Sequence, residues 1–249
     1  MRGEGYKEVI LLGQNVNSYK AENNYGFAEL LRDVQKIDGI EIIKFISPHP
    51  KDFTDDVIKA IKECNKVTRL IHLPLQSGSS AVLKKMNRKY TKEQYLELVK
   101  KIKKEIPGVL FSTDIIVGFP GETEEDFQDT LDVVKAVNFE QIFMFIYSRR
   151  VGTPADRMEN QVPDNIKHNR FDRLKELFEN QVELNNKKYI GTVQKILVEG
   201  LSKNNTDMLS GRTNSNKVVI FEGSKDLIGQ VINVEIISEH KWYLKGKKI

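Results

Sequence analysis

The chain has 249 residues, 39% hydrophobic and 30% charged, with a net charge of +4. That length suits one α/β barrel, or a barrel-like core with a small appendage; no apolar run approaches the roughly 18 residues of a membrane span. MRGEGYKEV shows no apolar leader, so a cytoplasmic globular protein with no membrane partner is expected. The single cysteine, Cys64, excludes an internal disulfide or a cysteine-only metal cage, and His49, His72, His168 and His240 lack ligand spacing, so no metal ligands are expected in this chain.

Five apolar, β-branched runs read as strands: KEVILLG (7–13), IEIIKFIS (40–47), RLIHLPL (69–75), VLFSTDIIVGF (109–119) and EQIFMFIYS (140–148). Amphipathic stretches at 26–37, 54–63, 79–85 with 92–105, and 124–137 read as helices. Thr54, Thr91 with Gln94, and Thr123 with Asp126 have the form of helix caps. Alternating strand and helix predicts a parallel sheet with right-handed crossovers, hence a barrel or part of one. The continuous apolar runs predict strands buried on both faces.

A long helical pattern follows Val162, and past Asn186 the period changes to short strands with Gly and Asn turns, as in a small antiparallel barrel of the oligonucleotide-binding kind. The expected domains are therefore 1–186 and 187–249. The second holds eleven Lys and Arg against six Asp and Glu, a net +5, which leaves 28 against 29, or −1, for the first. Such a basic tail suits contact with an acidic partner.

In a β/α barrel, ligands sit at the carboxyl ends of the strands. Those ends carry QNVNSY (14–19), SPHP (47–50), QSGSS (76–80), GFPGE (118–122) and YSRR (147–150). Amides and hydroxyls gather there without a hydrolytic triad or an acidic metal pair, which points to chemistry supplied by a cofactor. In STDIIVGFPGETEEDF (112–127) a strand runs through a glycine turn into a helix start. A phosphate there would meet Glu122, Glu124, Glu125 and Asp126; the last three complement the helix dipole, and Glu122 is left without a role.

GYKEVILLGQNVNSY, SPHPKDFTDDVIKAI, LIHLPLQSGSSAVLKKMNRKYT, STDIIVGFPGETEEDFQDT and FIYSRRVGTPA resemble, in order, blocks of the radical S-adenosylmethionine methylthiotransferases. ILVEGLSK and LSGRTNSNKVVIFEG resemble the TRAM domain that closes them. LLGQNVNSY, HPKDFTDD, LQSGS and FMFIYS point to the MiaB type, which acts on isopentenyladenosine beside the tRNA anticodon. The resemblance implies an incomplete (β/α) radical-SAM barrel, a partial TIM barrel, followed by a small antiparallel β-barrel TRAM domain. It also implies S-adenosyl-L-methionine and two 4Fe-4S clusters as cofactors, and the tRNA anticodon stem-loop as partner.

The family's C-x-x-x-C-x-x-C loop is not in this chain, so no cluster would be ligated by it, and the chain by itself is expected to be an inactive fragment of a longer enzyme. Its exposed sheet edge is expected to favour self-association. Carried over by position, the resemblance implies cofactor contacts at Gln14 and Asn15 (methionine amino end), Gln76, Ser77 and Ser79 (ribose or carboxylate), Ile116 and Gly118 (an adenine shelf), and Arg150 or Arg88 (carboxylate or phosphate). RNA contacts are expected at Arg212, Asn214, Asn216, Lys217 and Phe221. The alternatives are a non-catalytic RNA-binding protein with the barrel as scaffold, and a methylthiotransferase acting on threonylcarbamoyladenosine or a ribosomal protein. An unrelated phosphate-binding barrel enzyme would instead bind phosphate at 118–122.

Overall fold

The computed structural model describes residues 5–46, 48–203 and 205–249; Ser47, expected at a strand end and on the rim, lies outside them. Five strands, β1 (Glu8–Leu11), β2 (Ile42–Phe45), β3 (Leu70–His72), β4 (Leu110–Val117) and β5 (Gln141–Ile146), fall inside the five predicted runs. They alternate with α1 (Phe27–Val34), α2 (Asp55–Glu63), α3 (Ser80–Lys85), α4 (Lys92–Glu105) and α5 (Glu124–Val137), and α6 (Asp164–Lys187) follows β5. Every pairing among the five strands is parallel: β1 on β2, β3 on β4, β4 on β5. A parallel bridge between Ile43 and Val67 carries the succession from β2 to β3.

The helices form where the caps predict. Thr54, Thr91 and Thr123 each accept the backbone N–H three residues on, and Gln94 and Asp126 reach back to complete the boxes. The apolar faces of the helices meet one face of the sheet, burying Leu31, Ile43, Ile58, Ile61, Ile71, Leu83, Phe111 and Phe139. Burying each such side chain contributes about 1.5–3 kcal/mol.

The other face is not buried as predicted. Ile10, Ile46, Phe143 and Phe145 stay about half exposed, because the five strands curve round an open trough instead of packing on a second layer of helices. That trough, about 520 Å³, also presents Lys44, His72, Ser112, Asp114 and Gln141.

Residues beyond α6 make β6 (Val193–Leu201), β7 (Met208–Thr213), β8 (Val218–Glu222), β9 (Val231–Glu239) and β10 (Leu244–Lys248), closed in the order β10-β8-β7-β6-β9. Closure leaves no free edge. The barrel departs from the antiparallel expectation at one seam, where β10 runs parallel to β8. Ile196, Val198, Leu209, Val219, Phe221, Val234, Ile236 and Leu244 fill its core.

The two parts meet through built contacts. Asn186 in the last turn of α6 donates to the carbonyls of His240 and Lys241 at 2.8 and 3.1 Å. Lys217 pairs at 3.3 Å with Glu140, whose side chain is 3% exposed, and the Tyr189 hydroxyl lies 2.9 Å from the same carboxylate and 2.8 Å from Ser215. The β7–β8 turn is thereby seated under the first strand residues of β5, where Asn214 and Asn216 line the trough floor.

Candidate cofactor rim and nucleic-acid barrel

The rim at the carboxyl ends of β1 to β5 is rigidly braced. Asn15 takes a left-handed conformation (φ 54°) and donates to Asp52 at 2.6 Å. Asn17, buried, exchanges two hydrogen bonds with the backbone of His49: its amide donates to the carbonyl at 3.0 Å, and its oxygen accepts the N–H at 2.8 Å. The loop after β1 is thus tied to the loop after β2, a role for Asn17 and Asp52 that the sequence reading missed. Burial pushes the His49 imidazole below its ordinary pKa.

After β3 the chain is lifted by two phenols. Tyr95 donates to the Leu73 carbonyl at 2.8 Å, and Tyr90 lies 3.0 and 3.1 Å from the carbonyls of Pro74 and Leu75. Gln76, buried with φ 69°, then rejoins β4: its N–H donates to Asp114 and its carbonyl accepts from Ile116 at 2.9 Å.

Ser77, Gly78 and Ser79 turn inward. Ser77 Oγ accepts the Ser79 N–H, the Gly78 N–H donates to Thr130 Oγ1, and Ser79 Oγ accepts the Val82 N–H while donating to Asp126 at 2.5 Å. The two hydroxyls expected to meet a ribose or carboxylate therefore join α3 to α5, and neither is presented on the rim. The close approach requires glycine: a Cβ on Gly78 would lie 2.4 Å from the Thr130 Cα.

The glycine turn after β4 also closes on itself. Gly118 (φ 74°) donates its N–H to both carboxylate oxygens of Glu122 at 3.1 and 3.2 Å, and packs against the Lys167 alkyl chain. Glu122 is buried and accepts from Arg170 of α6 at 2.8 Å. Burial pushes its carboxyl above the ordinary range even with the Gly118 N–H and Arg170 opposing. The N–H groups of Ile116 and Gly118 are both taken, so neither is free to read a base edge. Glu122, left open by the sequence, anchors the turn to α6.

What faces the ligand side is a smaller set. Gln14 and Arg150 are exposed. Among the described residues six buried side-chain atoms lack a partner: Asn15 Oδ1, Arg88 Nε and Tyr147 Oη, after β1, α3 and β5, and Gln161 Oε1, Gln181 Oε1 and Asn186 Oδ1, beyond β5. Buried polar groups are normally paired, so the first three, at the rim, are the candidate ligand contacts. An acceptor at Asn15 and a guanidinium at Arg88 suit an ammonium and a carboxylate, the two ends of an amino acid.

An iron–sulfur cluster does not fit these residues. The one cysteine, Cys64, is buried where α2 ends, with its thiol pushed up by burial, and the described residues hold no group of His, Cys, Asp or Glu able to hold a metal ion. Among the described residues, no helix is long and apolar enough to cross a membrane.

Of the expected RNA cluster, Arg212, Asn214, Asn216 and Lys217 stay together at the β7–β8 turn, and Phe221 is separated from them. Phe221 is fully buried in the β-barrel core, where no base can reach it. Lys217 is held by Glu140, Arg212 pairs with Glu199 and donates to the Asn216 carbonyl, and Asn214 and Asn216 face the trough.

A parallel α/β half-barrel with polar groups on its carboxyl rim, carrying a closed five-strand β-barrel, defines the class. The family model described as Radical SAM superfamily matches residues 1–134, and that of the TRAM domain matches residues 187–249. The chain belongs to the radical SAM superfamily.

It is 57% identical over 98% of its length to a Clostridium beijerinckii protein named tRNA-2-methylthio-N(6)-dimethylallyladenosine synthase, and 56% identical over 98% to the Clostridium tetani protein of that name. The chain spans 54% of the length of each. The fold is also similar to the archaeal Methanocaldococcus infernus Elp3, with a TM-score of 0.52 at 13% identity, over 93% of this chain and 69% of that one.

Proposed function

We propose that this chain is the cofactor-holding and RNA-holding part of a tRNA methylthiotransferase that places a methylthio group on C2 of N6-dimethylallyladenosine. The observation that carries the reading is identity of 57% over 98% of the chain to a protein named for that product. In this family a bound iron–sulfur cluster would supply the electron for reductive cleavage of S-adenosylmethionine; this chain's one cysteine supplies no ligand set for one, so in this reading the chain by itself is inactive.

The residues here have binding roles. Gln14 and Asn15 accept from the methionine ammonium, Arg88 with Arg150 meets the carboxylate, and Gln76 and Tyr147 border the adenosine. The trough beneath takes the target base, and its exposed Phe143 and Phe145 offer apolar surface beside His72 and Asp114. The RNA partner is the anticodon stem-loop, the setting is the cytoplasm, and the free edge of β1 is where the isolated chain self-associates.

The test is nucleoside mass spectrometry of tRNA from cells lacking the gene. The expected result is loss of 2-methylthio-N6-dimethylallyladenosine with build-up of the unthiolated nucleoside; an unchanged profile overturns the reading. Calorimetry with S-adenosylmethionine addresses the rim: heat that vanishes in Arg88→Met supports it, and equal binding by that variant refutes the assignment of Arg88.

A further inference from the structure

The second domain carries eleven cations, and four of them, Arg212 and Lys217 of the expected RNA cluster included, are in ion pairs within the protein. Arg212 pairs with Glu199, Lys217 with Glu140, Lys187 with Glu183 and Lys241 with Glu179. Seven have no ion pair among the described residues, and three of these, on β6 and β10, share one wall of the barrel.

Lys195 of β6 and Lys245 and Lys247 of β10 are exposed, and among the described residues none of the three has an ion pair. β9 lies between those strands, with Asn233 opposite Lys195, and Glu235 opposite both Val193 and Lys247. Side chains alternate across a strand, and Ile196, Val234 and Leu244 fill the core. Their neighbours Lys195, Asn233, Glu235 and Lys245 therefore point outward.

β6 and β10 are two strand spacings, about 10 Å, apart. Cations thus flank an amide and two exposed β-branched side chains, Val193 (52%) and Ile237 (55%), on one continuous outer face. Glu235 is the carboxylate opposite Lys247, without an ion pair to it; Glu199 of β6 pairs with Arg212, and Glu239 lies at the far end of β9.

We propose that this outer face of β6, β9 and β10 is where the chain holds RNA, with Lys195, Lys245 and Lys247 on backbone phosphates and Asn233, Val193 and Ile237 under the ribose and base surfaces. The inference rests on the reading of the partner as RNA and names the surface that meets it. An acidic protein would also answer the lysines, but the amide and the two apolar side chains between them suit the mixed polar and apolar surface of nucleotides.

The experiment measures binding of unfractionated tRNA to the full chain across a salt series. Neutralising n phosphate contacts changes the slope of log K against log salt by about 0.7 to 0.9 each. The triple variant K195Q/K245Q/K247Q is expected to flatten that slope by about 2 and to weaken binding at 0.1 M salt by on the order of 100-fold. R212Q is expected to change it less than threefold.

E235Q is expected to tighten binding, an effect in the opposite direction that misfolding does not produce. Tight, salt-sensitive binding by the triple variant, or E235Q without effect, overturns the assignment of this face and leaves the RNA reading standing. No salt-sensitive binding by the unaltered chain overturns both. Displacement of tRNA by polyglutamate of equal charge as readily as by RNA overturns the choice of RNA in favour of an acidic protein.

Discussion

Arg170→Met removes the cation from a pair in which both side chains are nearly solvent-free, 5% exposed for Arg170 and 2% for Glu122. Breaking a buried pair from one side costs about 3–5 kcal/mol, because the remaining charge is stranded. Here the loss has a ceiling that depends on pH. A stranded carboxylate can take up a proton instead, and for a group with an ordinary value of 4.5 that costs about 1.36 kcal/mol per pH unit above it.

The ceiling on the Glu122 contribution is therefore about 4 kcal/mol at pH 7.5 and about 1.4 kcal/mol at pH 5.5. The sign follows from the raised value in the fold: stability associated with Glu122 is full below 4.5 and is lost as pH rises through the folded value, which lies higher still once Arg170 is gone. Urea denaturation at the two pH values measures it. Arg170→Met should be far more damaging at pH 7.5, and adding Glu122→Gln should restore all but about 1 kcal/mol, since an amide still accepts from Gly118. An equal loss at both pH values, or no recovery in the double variant, refutes the reasoning.

Gly78→Ala places a methyl against the backbone of Thr130 and should cost about 1–3 kcal/mol or more by separating α3 from α5, read as a fall in the urea midpoint at unchanged slope. Lys217→Met strands Glu140 between the domains; limited proteolysis should then cut near residue 190 faster than in the unaltered chain, while the β-barrel fragment stays intact. His49, held below its ordinary 6.5 by burial, takes up its proton more readily in the unfolded chain, so its contribution to stability falls as pH drops below 6.5. His49→Gln should flatten the stability profile between pH 7 and 5, and a profile unchanged by that substitution would exclude His49 as the source.

The elements, their order and the family were legible in the amino-acid sequence. Apolar runs separated by capped amphipathic stretches suffice for β1 to β5 and α1 to α5, because helix period, strand period and cap chemistry act over a few residues. The change of period after Asn186 likewise marked the β-barrel.

Which side chains are free follows from packing. Ser77 and Ser79 read as ligand hydroxyls, yet Thr130 and Asp126, about 50 residues away in sequence, hold them. Phe221, Arg212 and Lys217 read as an RNA cluster, but strand alternation buries the first, and partners on Glu199 and Glu140 engage the other two. Whether a polar group faces solvent or a partner distant in the chain is a property of packing, and local pattern carries no information about it.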